Sequence, residues 1–426
     1  MGVTLGPTAA GPVTRQREFW VLTGYAAALG VFGAFAGLVS LGAVRFGSRW
    51  GTGSGPGWFG GHWWWVAVTA ALGVVVGLLR RLTRLPEEVP GLFDDLRAEH
   101  FDARLVPGTV AVSAVSLIGG ASVGPEKLLA SIGAGAGSWM AQRRALGTED
   151  SQVNTLAGIA GIFGGLFSSP VIAVMLILEI ARPGGQRFSK VLLTDIVAGS
   201  VSFGIYFAIA GAVFLGTYRV PRYPFEDWQL LAGIPLGLFG ALVASLVAGF
   251  MMLASRLFGW LKLPAIVKSA LGGMIFGIIG VALPLTMFSG GGQLTSLLKD
   301  ARTLGLGLCV AILIAKIIAY AVSQGSGFVG GPIVPSLFIG GAAGIVIHLA
   351  IPGVPLGLAF SCLLTAVLGA VAAAPFAMVL MSVFLTRVGA LQTAPILIAV
   401  ITAFIGTEGV KYLLASRGQR RSRPEL

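Results

Sequence analysis

The sequence predicts an all-α polytopic membrane protein that contains an internal duplication. Two bulk properties support this class: 55% of the 426 residues are hydrophobic and only 11% are charged, whereas soluble domains carry about 25% charged residues. A third observation is local, because two Gly-Pro pairs, at 124–125 and 331–332, stand at the start of apolar runs. Glycine and proline in such positions indicate helices that begin or end inside the bilayer.

Apolar runs alternate with short polar loops along the chain. A helix needs about 20 residues to span a bilayer, and several of these runs are shorter. The chain is therefore predicted to combine full spans with helices that penetrate only part of the membrane. The runs cover residues 19–45, 62–80, 104–120, 126–142, 154–181, 191–216, 228–260, 266–287, 303–323, 333–351, 355–373, 375–386 and 393–412.

A polar stretch at 217–227, rich in proline, tyrosine and charge, divides the chain near its middle. No cleavable signal is expected, because the first apolar run is too long for the core of a signal peptide. The predicted organisation is a polar N-terminal segment (1–18), a first transmembrane half (19–216), the linker (217–227), a second transmembrane half (228–413) and a basic tail (414–426).

The formal net charge is +12, and the basic residues lie mainly in short loops and at the two ends. This distribution is typical of positive-inside topology in a cell inner or plasma membrane, with both termini cytoplasmic and lipid, not nucleic acid, as the partner. No cofactor, metal site or catalytic group is expected. The histidines are too far apart to bind a metal, and the cysteines lie in apolar runs as small core residues: His62, His100, His348, Cys309 and Cys362.

The two halves share an ordered pattern. Gly124-Pro125 and Gly331-Pro332 are each followed, at the same offsets, by Ile-Gly and then a further glycine. Later in each half, Pro170 and Pro375 open an apolar run that reaches an arginine twelve residues on. Two matches in the same order predict an internal duplication with halves of about 200 residues. A duplicated bundle with a break in each half is typical of a transporter or channel, with its site where the broken helices meet.

Glu126 follows the first of these breaks directly. A carboxylate inside a membrane segment is costly and is by default a functional candidate. The preceding Gly124-Pro125 favours a break, after which a helix can begin with free backbone N–H groups. Such N–H groups attract anions. The Glu126 carboxylate would then be a tethered anion, able to occupy a site that a mobile anion could use.

At these residues the chain resembles the CLC family of chloride channels and proton/chloride antiporters. Four segments carry the resemblance, namely 124–128 with its later Ile-Gly, 158–183, 330–335 and 374–387. The resemblance implies two inverted repeats of tilted, partly membrane-penetrating helices, a homodimer and one anion pathway in each subunit. A divergent, prokaryotic-type member without C-terminal soluble domains is expected, because the chain ends about a dozen residues after the last apolar run.

The resemblance identifies Glu126 as a gate on an outer anion site formed with Gly124, Pro125 and the backbone N–H groups of Ile333 and Val334. The alternative is a structural glutamate paired with Lys127 or another cation. Lys127 stands where the family motif has a second glycine. Its ammonium could add positive potential at the pore, or it could extend to the membrane interface.

The inner anion site departs further from the family pattern than the outer one. The family's serine-containing segment corresponds by order to 86–90, which places Val89 at an isoleucine position and Glu87 at the serine position. An ionised carboxylate beside an anion would oppose binding, so Glu87 points away, or is protonatable, or the site differs. Tyr412 is the candidate for a C-terminal tyrosine that contacts the inner anion, and a plain interfacial tyrosine is the alternative.

Proton coupling is the second departure. Family antiporters relay protons through an internal glutamate, and here Ile180 stands at that position with Glu179 just before it. Channel-like conduction of chloride or a similar small anion is therefore expected. The alternative is a proton-coupled chloride or fluoride antiporter in which Glu179 or Glu87 is the relocated acid. Two remote alternatives are a membrane-embedded enzyme that uses Glu126 and Lys127 as acid and base, and a receptor-like protein without flux.

Overall fold

The protein is built from helices joined by short loops. The computed structural model describes residues 17–52, 62–99 and 101–421. Residues 1–16, 53–61 and 422–426, together with His100, lie outside the described residues. Within the described part the only β pairing is one isolated bridge between Gly124 and Gly331.

Among the described residues, the first half contains eight α-helices and the second half seven, with one short 3-10 helix at Pro284–Thr286. The first-half helices are α1 (Arg17–Thr52), α2 (Trp64–Leu82), α3 (Leu92–Ala98), α4 (Val106–Ile118), α5 (Glu126–Arg143), α6 (Thr148–Leu166), α7 (Pro170–Ala181) and α8 (Gly185–Ala210). The second-half helices are α9 (Trp228–Trp260), α10 (Ala265–Ala282), α11 (Gly291–Gly325), α12 (Ile333–Ala350), α13 (Leu356–Ala372), α14 (Pro375–Thr386) and α15 (Thr393–Arg421).

Membrane-spanning helices and shorter apolar helices are both present, as the run lengths predict. Eight of the described helices are long and apolar enough to cross a bilayer. Four apolar helices are shorter: α4, α7, α13 and α14. Because many apolar side chains on the long helices face outwards, the protein is an integral, multi-pass membrane protein.

The repeated sequence pattern corresponds to repeated structure. Helices α5 and α12 are both 18 residues long and begin directly after the two Gly-Pro pairs. Helices α7 and α14 are both 12 residues long and begin with proline, whose fixed φ suits the first helical position. Both end at an arginine in the left-handed conformation, Arg182 and Arg387, each with φ 52°.

The run 154–181 looks continuous in the sequence but forms two helices. Helix α6 ends at Leu166, and Ser168 takes a left-handed conformation with φ 50°. The Ser169 hydroxyl then accepts a hydrogen bond from the N–H of Ile172 at 3.3 Å, which caps α7. The break lies in an apolar region, so hydropathy alone does not reveal it.

Equivalent glycines permit close packing in the two halves. A Cβ atom on Gly133 of α5 would overlap the backbone of Gly158 on α6. A Cβ atom on Gly340 of α12 would likewise overlap the backbone of Leu363 on α13. The conserved offset in the repeat therefore reflects helix pairs whose backbones touch, as small residues allow in membranes.

Gly133→Ala is expected to destabilise the protein by about 1–3 kcal/mol, because the α5–α6 pair must separate to admit a methyl group. Thermal unfolding in detergent measures the effect as a lower Tm. Gly249→Ala on α9 is the matched control, since a Cβ there meets nothing within 4 Å. An equal Tm for both variants would contradict this account of the packing.

Candidate anion pathway

The two Gly-Pro breaks meet at the centre of the candidate site. The N–H of Gly124 donates to the carbonyl oxygen of Gly331 at 2.8 Å, and the N–H of Gly331 donates back at 2.7 Å. The pairing is antiparallel, as expected of equivalent segments from inverted halves. Helices α5 and α12 therefore begin side by side, which places their free N–H groups in one region.

Glu126 is the first residue of α5 and its side chain is fully buried. Its Oε1 accepts a hydrogen bond from the N–H of Val334, in the first turn of α12, at 2.8 Å. The N–H groups of Ile333 and of Glu126 itself also interact with the carboxylate. Because three backbone N–H groups converge on one negative group, the arrangement is an anion site occupied by a side chain.

The carboxylate is held in a position that only glycine neighbours permit. A Cβ atom on Gly124 or on Gly331 would overlap Oε2 of Glu126. That same Oε2 is buried and has no hydrogen-bond partner in the described structure. One oxygen is therefore bound and the other is not, so the carboxylate is held less firmly than a fully satisfied one.

A cavity of about 550 Å³ reaches this pair of helices. Pro125 and Val334 belong to its wall, and Arg45 contributes a positive charge. Polar side chains from several elements complete the wall, among them Tyr206, Thr217, Tyr218, Ser289, Gln293 and Thr295. Most of the cavity wall is apolar, and Arg45 places a positive charge on the approach to the N–H groups that Glu126 occupies.

A buried lysine hydrogen-bonds to a loop on one side of this cavity. Lys316 on α11 is fully buried, and its ammonium donates to the carbonyl oxygens of Thr286 and Phe288 at 3.0 and 2.7 Å. It also lies 5.0 Å from the ring centroid of Phe338 on α12. Since Phe288 lines the cavity, Lys316 fixes a loop of the cavity wall against α12. The sequence could have indicated Lys316 as a functional candidate, because it is a charged residue within the apolar run 303–323.

Lys127 neither lines this cavity nor reaches the surface. Its side chain is buried, and its ammonium forms an ion pair with the Asp95 carboxylate on α3. The ammonium also lies 5.6 Å from the ring centroid of Phe101. Extension to the interface is therefore wrong for Lys127, and Glu126 is bound by backbone N–H groups and not by Lys127.

The structure does not bring Glu87 to the site. The Glu87 side chain is exposed, and its carbonyl oxygen accepts a hydrogen bond from Arg80 at 2.7 Å. Arg80 also binds the carbonyl oxygens of Pro86 and Gly327, which fixes the 86–90 segment. Arg80 therefore binds the backbone of this segment, while the Glu87 carboxylate is exposed. Val89 packs its side chain against a hydrophobic cluster.

Tyr412 also lies away from the site. Its side chain is 73% exposed near the end of α15, which fits the interfacial alternative and gives no support to inner anion contact. Tyr320 on α11 is instead the buried tyrosine that interacts electrostatically with Glu126 and hydrogen-bonds to Gln324. Sequence reasoning missed it. The sequence could have indicated it, because Tyr320 and Gln324 lie four residues apart on one helix face shortly before the second Gly-Pro pair.

Glu179 binds a second helix start. Its two carboxylate oxygens accept hydrogen bonds from the N–H groups of Phe376 and Ala377, at 2.9 and 2.7 Å, in the first turn of α14. Ile180, at the family's proton-relay position, is a buried core residue. Glu126 and Glu179 are thus alike, because each first-half carboxylate binds the positive end of a second-half helix.

Asp195 on α8 is a further buried acid that sequence reasoning overlooked. It is fully buried, and neither carboxylate oxygen has a hydrogen-bond partner in the described structure. An unpaired carboxylate is very costly in such a place, which makes Asp195 a functional candidate. Its signal in the sequence was a lone aspartate within the apolar run 191–216.

A comparison with protein families then identifies the chain. A family model described as voltage gated chloride channel matches residues 72–408. The chain belongs to this family, the CLC family. The recognition made from the Gly-Pro motifs is therefore confirmed, and so is an anion transport function at the level of channel or antiporter.

Relatives of this CLC protein include ion-transport proteins. The YfeO proteins of Salmonella choleraesuis and Salmonella newport, each named as an ion-transport protein, are 28% identical over 317 residues. The match covers 72% of this chain and 74% of each relative.

Solved CLC structures share the fold. A slow cyanobacterial Cl⁻/H⁺ antiporter superposes with a TM-score of 0.78 at 16% identity, covering 94% of this chain and 98% of the other. A CLC-type fluoride/proton antiporter gives a TM-score of 0.74 at 18% identity, covering 92% and 96%. The predicted all-α architecture of inverted repeats is confirmed.

Proposed function

We propose that this CLC protein transports chloride or a similar small anion through a pathway gated by Glu126, and that conduction is passive. The observation that carries the proposal is the Glu126 carboxylate on the N–H of Val334, between the two helix breaks. The same N–H groups would bind a mobile anion once the carboxylate leaves them. The cavity that ends at Pro125 and Val334 provides the approach.

Two observations support passive conduction over coupled exchange. Isoleucine at position 180 has no proton to relay, and its side chain is buried in the core. Glu179 beside it is already engaged in a structural contact, because its two carboxylate oxygens accept hydrogen bonds from N–H groups of α14.

Halide efflux from proteoliposomes, with internal pH recorded, tests the proposal. Chloride efflux without proton movement is expected. Proton movement against its own gradient, driven by chloride, would contradict passive conduction. Absence of any anion flux from well-folded protein would contradict the proposal as a whole.

Proton-coupled chloride or fluoride antiport is a second candidate, favoured by two further acids, the half-buried Glu179 and the buried Asp195. The two solved structures described above are antiporters of these kinds. Comparing chloride with fluoride efflux separates the two anions.

If antiport holds, Asp195→Asn or Glu179→Gln is expected to abolish chloride-driven proton movement while anion efflux continues. An amide keeps the shape of the acid but cannot give up a proton. Glu88→Gln, at an exposed position, is the control. Unchanged proton movement in both amide variants would remove these two acids as relays.

We also propose, from the family resemblance, a homodimer with cytoplasmic termini in the cell inner or plasma membrane. The protein is proposed not to be an enzyme, because the acid–base pair that an enzyme would need is not formed: Lys127 is engaged with Asp95 and not with Glu126. Mass determination in detergent tests the dimer, and protease accessibility in oriented vesicles tests the topology.

A further inference from the structure

Lys127 is a buried cation one residue from the gate. Its side chain is only 4% exposed, and the described hydrogen bonds use it once, as donor to Asp95. A lysine ammonium carries three N–H donors. The Phe101 ring faces it at 5.6 Å from the centroid, and an aromatic face attracts a cation without satisfying its donors fully. The ammonium therefore retains capacity to bind a further acceptor.

The ion pair with Asp95 is a poor stabilising device. Asp95 is 13% exposed, so both charges are largely removed from water. Desolvation of two ions often cancels their attraction, and an apolar pair of similar size is commonly as stable. Charged groups at such positions in membrane proteins usually serve a pathway. A functional reason for the pair is therefore expected.

Lys127 follows Glu126 directly at the start of α5. Consecutive helical residues project about 100° apart. Glu126 projects towards α12, where it binds the N–H of Val334, and Lys127 projects towards α3, where it binds Asp95. The start of α5 thus carries two charged groups. Glu126 is bound by backbone N–H donors of α12, and Lys127 is bound by the carboxylate of Asp95.

We propose that Lys127 and Asp95 form a second anion-binding gate, on the α3 side of Glu126. The Lys127 ammonium binds the transported anion, and the Asp95 carboxylate is a tethered competitor that occupies the ammonium when no anion is present. This inference rests on the proposed function, because the ligand is the transported halide. It supplies an anion contact inside the protein, whereas Glu87 and Tyr412 are exposed.

Halide affinity in detergent, measured by calorimetry with chloride and bromide, tests the gate directly. Asp95→Asn is expected to tighten halide binding on the order of tenfold, because a neutral amide competes weakly for the ammonium. Lys127→Met is expected to weaken binding on the order of tenfold. The double variant Lys127→Met/Asp95→Asn is expected to lose the tighter halide binding of Asp95→Asn, because that increase in affinity depends on the Lys127 ammonium.

A matched control lies on the same short helix. Asp94 forms an ion pair with Arg97 at 3.4 Å, and these side chains are 69% and 47% exposed. Asp94→Asn removes a carboxylate one residue from Asp95 at an exposed site, so halide affinity is expected to stay unchanged. A purely structural ion pair at Lys127 would give lower stability without tighter halide binding in Asp95→Asn.

Unchanged affinity in Asp95→Asn, or an equal gain with and without Lys127, would overturn the inference. If Asp95→Asn does not fold, the neutral double variant decides. If this double variant binds halide more weakly than wild type, the proposed second gate is supported. If it binds halide as tightly as wild type, the inference is overturned. If the wild type releases halide from proteoliposomes but the variants bind halide with wild-type affinity, this inference is overturned while the proposed function stands. Absence of halide binding in every variant would overturn both.

Discussion

Glu126→Ala is expected to raise the apparent halide affinity by about tenfold or more and to make efflux independent of pH. A hydrogen bond to a charged group contributes about 1.5–3 kcal/mol, and a tenfold change in affinity corresponds to about 1.4 kcal/mol. Removing the carboxylate frees the N–H of Val334, to which Oε1 is bound at 2.8 Å. Chloride efflux from proteoliposomes over a range of chloride concentrations and pH values measures both effects.

A graded series makes this prediction sharper. Glu126→Gln keeps the size of the side chain but has no charge, so its affinity is expected to lie between those of wild type and Glu126→Ala. Glu87→Ala removes an exposed carboxylate and is expected to change nothing. Wild-type halide affinity together with a retained pH response in Glu126→Ala would show that this carboxylate is not the gate.

Gly331→Ala is expected to open the same gate without changing Glu126. The new methyl group would overlap both Oε2 and Cβ of Glu126, so the carboxylate cannot remain on the α12 N–H groups. Halide affinity should rise as in Glu126→Ala, while overpacking lowers the free energy of unfolding by about 1–3 kcal/mol. Calorimetric halide titration and thermal unfolding in detergent measure the two effects.

Gly292→Ala is the matched control for this variant. Gly292 lines the same cavity, and a Cβ there meets nothing within 4 Å, so wild-type affinity and stability are expected. In the combined variant Gly331→Ala/Glu126→Ala, halide affinity should not rise beyond that of Glu126→Ala. Additive effects would mean that Gly331 acts through the backbone bridge to Gly124 and not through the carboxylate.

The sequence by itself determined the membrane class, the duplication and the position of Glu126 at a helix start. These properties are local. Apolar run length reports on membrane helices, and a Gly-Pro pair favours a chain break at its own position. Gly133 and Gly340 stand at the same offset after the two Gly-Pro pairs. Each permits close packing with the next helix, so the equal offset in the sequence corresponds to equivalent helix pairs. Hydropathy shows 154–181 as one apolar run, and only Pro170, two residues after Ser168, indicates that a second helix begins there.

Only the tertiary structure decided which partners the charged residues take. Lys127 pairs with a residue 32 positions away, and the Glu179 carboxylate binds N–H groups almost 200 positions away. The direction of a side chain depends on helix rotation and on packing against distant segments, which hydropathy does not encode. For this reason Glu87 and Tyr412 were assigned by order along the chain, yet lie exposed, while Asp95 and Tyr320 approach the gate from helices that the motifs did not include.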